Sequence, residues 1–197
     1  KVLYGKGTIE DTLCGLNFTI SSKSFYQVNP SQTEVLYNTA IDFAKLGKDD
    51  VVLDAYCGIG TIGLIASKHV KKVIGVETVA PAIVNAKSNA KKNNISNAEF
   101  YCDDASKYMI NSAKKKQYFD VAFVDPPRNG CDQKFINALM QTSPKKIVYI
   151  SCEPSSLARD LKILSQKYEV VAVQSVDMFP QTYHVETVVL LEKKRLK

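Results

Sequence analysis

The chain has 197 residues, 45% hydrophobic and 23% charged, with a net charge of +6. That is enough apolar material for one full core, while no apolar run nears the ~20 residues that would cross a bilayer, so no membrane role is expected. The modest positive balance tilts toward a nucleic-acid partner without deciding it. Five cysteines (Cys14, Cys57, Cys102, Cys131 and Cys152) show no CxxC spacing and are odd in number. Neither a disulfide framework nor a metal site is expected, and a reducing cytoplasm is the simpler setting. Lys1 is not an initiator methionine and no secretory leader is visible, so a piece of a longer chain is expected.

Residues 1–30 alternate polar and apolar through LYGKGTIEDTLCGLNFTIS, which predicts a strand or hairpin extension. It should pack on one domain spanning 31–197. An Asn-Pro turn signal follows in SFYQVNPSQ. Apolar residues at Val35, Leu36, Ala40, Phe43 and Ala44 predict a helix over 33–46, stopped by Gly47. From there strands and helices alternate. Strands are predicted at 51–54, 72–77, 99–102, 120–125, 146–151, 169–176 and 185–192, with helices at 62–68, 81–93, 106–114, 133–141 and 155–165. Repeated strand–helix units require right-handed crossovers, hence a mostly parallel sheet with helices on both faces. The last two strands are joined only by DMFPQTYH, too short for a crossover helix, and should pair antiparallel at the sheet edge.

The chain is organised around VVLDAYCGIGTIG at 51–63. A buried strand runs into a turn with Gly58 and Gly60, and a helical pattern opens at Thr61. Glycines there let a ligand approach the backbone, beside the free N–H groups of a helix start. No Lys-Ser/Thr pair follows, so a phosphate loop is excluded, and the glycine spacing fits a diphosphate fingerprint poorly. Yet an acid placed to hold a ribose does appear, Glu77 at the end of KVIGVE. A ribose-binding acid without a diphosphate loop points to a nucleoside free of phosphates, of which S-adenosylmethionine is the common one.

Ligands in such sheets bind beyond the carboxyl ends of the strands. Those ends carry Asp54 to Tyr56, Glu77, Asp103-Asp104, Asp125 to Arg128, and Ser151-Cys152. In DPPRNG the prolines remove backbone donors and stiffen the chain after Asp125. Known amino-group methyltransferases carry an aromatic residue where this motif has Arg128, which speaks against that chemistry. Cys152 stands between a strand and a helix opened by Pro154, with Ser155 or Ser156 as cap. A thiol at a helix start near an arginine should have its pKa lowered, making it a nucleophile. The other four cysteines read as buried packing residues. In FPQTYHVETVVLL, His184 and Glu186 begin the last strand at the same rim, His184 as a structural hydrogen-bonder.

Taken together, SFYQVNPSQTEVLY, LDAYCGIGTIGL, GVE, DPPRNG, SCEPSSLARDL and FPQTYHVETVVLL resemble the RNA uracil-5-methyltransferase family over nearly the whole chain. The resemblance implies a class I methyltransferase fold, Rossmann-like, with a seven-stranded mostly parallel sheet whose last strand is antiparallel. It implies S-adenosylmethionine as methyl donor and RNA as substrate, with 23S ribosomal RNA first and transfer RNA second, on a monomer. Cys152 would be the nucleophile and Glu186 the base. Gln27, Tyr56, Thr61, Glu77, Asp104 and Asp125 would line the donor side, with Asp103 as alternative to Asp104. Gln27, Asp125 and Arg128 would meet the substrate. Family members commonly begin with an OB-type RNA-binding domain, and some hold an iron–sulfur cluster on four clustered cysteines; neither pattern occurs in these 197 residues. The residue chemistry agrees, because uracil C5 becomes nucleophilic only after a thiolate adds at C6, and its proton then needs a base. Two other readings stand beside it: a base-amino methyltransferase using DPPR, and a non-catalytic RNA-binding module.

Overall fold

A computed structural model describes residues 7–195; the first six residues of the expected extension lie outside them. Strands β1 (Thr8–Leu13) and β2 (Leu16–Ser21) pair antiparallel, with Thr8 opposite Ser21 and Leu13 opposite Leu16. The two turn residues, Cys14 and Gly15, both lie at positive φ, as tight hairpins require. Alternation turns Leu16, Phe18 and Ile20 inward. The hairpin stays separate from the main sheet. Its open edge is completed by side chains: Asn89 Oδ1 accepts from Thr19 N at 2.8 Å and Asn93 Oδ1 from Asn17 N at 2.9 Å.

Helix α1 (Pro30–Ala44) is opened by Asn29, whose side chain accepts from Gln32 N, with Pro30 in the first turn. Its end differs from expectation. The left-handed cap is Lys45, φ 45, and Gly47 instead donates its N–H to Asp50 Oδ2 at 2.8 Å. The rest alternates: β3 (Val51–Ala55), α2 (Thr61–Ala66), β4 (Lys72–Glu77), α3 (Ala80–Lys92), β5 (Ala98–Cys102), α4 (Ala105–Lys114), β6 (Val121–Val124), α5 (Gln133–Thr142), β7 (Lys146–Ser151), α6 (Pro154–Leu164), β8 (Tyr168–Val176) and β9 (Glu186–Lys193).

The main sheet has the order β5-β4-β3-β6-β7-β9-β8. Only β9 runs against its neighbours, inserted antiparallel between β7 and β8. Two apolar layers form on its faces. Val52, Val73, Phe100, Phe123, Val148, Ile150, Val188 and Leu190 pack with α1, α2 and α3. Leu53, Ile74, Ala122, Ile147, Tyr149, Val189 and Leu191 pack with α4, α5 and α6. Near-continuous apolar strands are what a sheet covered on both faces demands. Among the described residues no helix is long and apolar enough to cross a membrane.

Candidate active site

Strand periodicity places the rim residues. Side chains alternate between faces, so Asp54 follows Val52, Glu77 follows Val73 and Gly75, and Asp125 follows Phe123 on the α1–α3 side. Cys152 follows Val148 and Ile150 there, and Glu186 precedes Val188 and Leu190. Five candidate side chains thus share one side of the sheet.

The turn after β3 is held by backbone geometry. Tyr56, Gly58 and Gly60 all lie at positive φ, 63, 54 and 82. Tyr56 is a side-chain-bearing residue in a region that costs energy, and its ring packs on Phe135 with centroids 5.3 Å apart. Gly60 offers no side chain to cap α2. Asp54 takes that role from β3, accepting from Gly63 N at 2.8 Å. Burial pushes the Asp54 carboxyl up to about 7, against the pull of the Gly63 N–H and with Glu77 adding to the rise. Glu77 accepts from Gly58 N at 3.2 Å and Val79 N at 2.8 Å, which aims the carboxylate while leaving each oxygen a second acceptor site. Thr61 makes no side-chain hydrogen bond with another described residue. Asp104 is engaged as the cap of α4, accepting from Lys107 N at 2.9 Å. Asp103 accepts from Asp104 N at 2.8 Å and lines a cleft of about 400 Å³ with Tyr101, Tyr108 and Lys115 along the free edge of β5.

On the other side of the rim, the last β7–β9 pair is Ser151 opposite Thr187. One step outward brings Cys152 opposite Glu186, and directly opposed antiparallel residues point to the same face. The two line a cavity of about 60 Å³ with Arg128, Met178, Phe179 and His184. The expected lowering of the thiol pKa is not found. Burial pushes Cys152 up first, then Glu186 and Asp125, and Arg128 pulls it down by less. Two carboxylates and desolvation outweigh one cation and a helix end whose cap is Glu153 rather than a serine. Burial also raises Glu186, with Arg128 opposing. Asp125 is pushed up to about 8 by burial, then by Glu186 and Asp54.

Gln27 is 8% exposed, and its segment is tied to the cavity wall by Asn29 Nδ2, which donates to Met178 O at 2.8 Å. Gln27, Asp125 and Glu186 make no side-chain hydrogen bond with another described residue. Asp125 and Glu186 stand close together at the rim, and carboxylates left without a hydrogen-bond partner there suit a polar ligand. His184 was expected to serve a structural hydrogen bond; its ring instead packs on Tyr183 at 4.2 Å and lines the cavity. Of the four cysteines expected to be buried, Cys57 and Cys131 are, Cys14 is half-buried and Cys102 is exposed. Sequence reasoning placed Asp54 at the rim but missed its cap to α2. The available signal was its position directly before a turn whose helix lacks a capping side chain.

Comparison with known proteins places this arrangement. A family model described as tRNA (uracil-5-)-methyltransferase matches residues 9–194. An uncharacterized RNA methyltransferase of Staphylococcus aureus is 52% identical over 192 residues, 98% of this chain and 42% of the relative. A counterpart in Listeria innocua is 50% identical over 195 residues, 98% of this chain and 43% of the relative. The chain therefore spans about two fifths of the length of the curated relatives it matches. The crystal structure of Pyrococcus abyssi tRNA (uracil-54, C5)-methyltransferase with S-adenosyl-L-homocysteine superposes with a TM-score of 0.84 at 33% identity, over 95% of this chain and 45% of that one. An S-adenosylmethionine-dependent methyltransferase of Agrobacterium tumefaciens, at 17% identity and TM-score 0.74 over 98% of this chain and 72% of that one, shares the fold. The chain has the class I methyltransferase fold and belongs to the tRNA (uracil-5-)-methyltransferase family.

Proposed function

We propose that this chain is the catalytic domain of an S-adenosylmethionine-dependent RNA (uracil-5-)-methyltransferase. The observation that carries the reading is Cys152 and Glu186 facing each other across the β7–β9 pair in one cavity with Arg128. A soft nucleophile and a carboxylate base are the minimum set for substitution at uracil C5.

The donor side fits a nucleoside. Glu77 is aimed by two backbone N–H groups and has acceptor sites left for both ribose hydroxyls. A Cβ built on Gly58 would meet nothing within 4 Å, so the loop is open there, and Thr61 adds a hydroxyl at the start of α2. Tyr56 and Asp104 complete this side. S-adenosylmethionine, when bound, supplies an electrophilic methyl group on a sulfonium.

Gln27, Asp125 and Arg128 receive the uracil. Gln27 offers both a donor and an acceptor to the base edge, and the raised pKa of Asp125 keeps a proton available for donation near neutrality. The cavity is small and recessed, so the nucleotide is turned out of its stack to enter. Cys152 Sγ adds as thiolate to C6, which places the electron pair on C5, and C5 takes the methyl group. Glu186 then removes the C5 proton, the C5=C6 bond re-forms and the thiolate leaves. Burial of Glu186 suits this work, since a raised pKa makes the carboxylate a stronger base. For the RNA itself, ribosomal RNA is the expectation from the sequence, while the names of the matched family and of the Pyrococcus relative favour transfer RNA.

Single substitutions separate the roles. The full-length protein with Cys152→Ala should give neither product nor adduct. Glu186→Gln should methylate once and stay attached to the RNA, seen as a retarded band on a denaturing gel. A 5-fluorouridine RNA should trap the wild type likewise, since fluorine cannot leave as a cation. An adduct with Cys152→Ala, or none with Glu186→Gln and with the fluorinated RNA, refutes the assignment. A base-amino methyltransferase would keep its activity in Cys152→Ala.

A further inference from the structure

Asp160, on α6, is fully buried. Its Oδ2 accepts from Cys131 N and from the Tyr149 hydroxyl, both at 2.7 Å. Its Oδ1 accepts from Arg159 Nε at 2.9 Å and Nη2 at 2.8 Å. Arg159 Nη2 also donates to Asn129 O at 2.7 Å and Cys131 O at 3.3 Å. The backbone of 129–131 is therefore gripped from both of its polar sides, by an acceptor for its N–H and a donor for its carbonyls.

The grip leaves room only for glycine at 130. Gly130 has φ +71, and a Cβ there would stand 2.6 Å from both Arg159 Nη2 and Asp160 Oδ2. Its N–H donates to Pro127 O at 2.8 Å, closing the turn that displays Arg128. The anchors straddle the nucleophile along the chain: Tyr149 lies three residues before Cys152 on β7, and Arg159-Asp160 follow it on α6. A loop fastened to those anchors is registered against Cys152 itself, rather than against β6 from which it departs.

We propose that the Arg159–Asp160 pair is a positioning clamp that holds Arg128 beside the Cys152 thiol. The inference rests on the proposed role of Cys152 as nucleophile. Arg128 is the single cation pulling the thiol toward ionisation, against Glu186 and Asp125. The groups facing Cys152 are Arg128 and Asp125 from the loop after β6, Glu186 and His184 from the approach to β9, and its neighbour Glu153. Of these, Arg128 is the one whose place the clamp sets at closest range. Losing the clamp lets Arg128 drift, and the thiol then ionises at higher pH.

The test reads ionisation of Cys152, independently of methyl transfer. The full-length protein is alkylated with iodoacetamide from pH 6 to 10, and the Cys152 peptide is followed by mass spectrometry, with exposed Cys102 as internal control. Arg128→Gln should raise the midpoint and slow alkylation at pH 7 by about three- to tenfold, the worth of one cation at a half-exposed site. Arg159→Ala should do the same although it touches neither Cys152 nor Arg128. Combined with Arg128→Gln it should add nothing, because both remove one effect. Arg159 is half exposed, so it can be cut with less risk to the fold than Asp160. Arg159→Gln is the milder cut, for use should the alanine not fold, and should shift the midpoint in the same direction. Arg159→Lys, which keeps a donor for the loop carbonyls, should recover part of the shift. An unmoved midpoint in Arg159→Ala or Arg159→Gln, or shifts that add in the double variant, overturns the clamp. Neither result touches the adduct test, so the clamp and the methyl-transfer reading fail separately.

Discussion

Glu77→Ala tests the donor side most directly. The carboxylate accepts from Gly58 N at 3.2 Å and from Val79 N at 2.8 Å, so its direction is set before any ligand arrives. Each oxygen can accept once more, one per ribose hydroxyl. A hydrogen bond to a charged group contributes about 1.5–3 kcal/mol. Two are lost in the alanine variant, and water recovers about half at this half-buried site, leaving a net loss of about 1.5–3 kcal/mol. That converts to about 10- to 150-fold weaker binding of S-adenosylmethionine, measured by calorimetry on the purified protein. The variant also frees Gly58 N and Val79 N, which should cost about 1 kcal/mol and lower the melting temperature by ~2–4 °C. Glu77→Gln keeps one good acceptor and should fall between. Affinity within twofold of the wild type, on a protein whose melting curve stays cooperative, would refute the ribose assignment.

Two further outcomes are expected. Asp125 has a folded pKa raised to about 8, so the stability it permits is present below its unfolded value of ~4 and is lost as pH rises through 8. The Asp125→Asn protein should match the wild type at or below pH 4 and melt progressively higher than it as the pH rises to 8, by ~2–4 °C for each kcal/mol of the roughly 1.4 kcal/mol lost per pH unit; parallel melting curves would remove the argument. Asp54, raised to about 7, should leave the variant with a shallower slope of its own. Gly60→Ala should destabilise by ~2 kcal/mol or more, because its φ is +82 and the new Cβ would lie 2.8 Å from Phe100 Cζ. A melting temperature within 1 °C of the wild type would show that the loop moves freely there.

How much of the site was legible depends on distance along the chain. VVLD, KVIGVE and KIVYIS read as buried strands because their apolar runs sit between turn signals, and their ends marked the rim correctly. The final strand could be placed antiparallel because DMFPQTYH is too short for a crossover. Where β9 sits was not readable. It inserts between β7 and β8, and that insertion is what sets Glu186 opposite Cys152. The Lys45 cap was equally hidden, since a lysine at positive φ carries no local signal while Gly47 two residues on carries a misleading one.

Composition, periodicity and motif order determined by themselves that the chain forms an alternating α/β sheet with its candidate site residues at one rim. These follow from rules that act within a few residues: apolar spacing, turn chemistry and the alternation of side chains along a strand. Only the tertiary structure decided the electrostatics and the registration. The thiol of Cys152 is raised rather than lowered because Asp125 and Glu186, 27 and 34 positions away in the sequence numbering, are brought against it. The loop bearing Arg128 is fixed by Asp160 and Arg159 across about 30 residues of chain. Burial and through-space charge depend on which distant segments meet, and no local pattern in the sequence encodes that meeting.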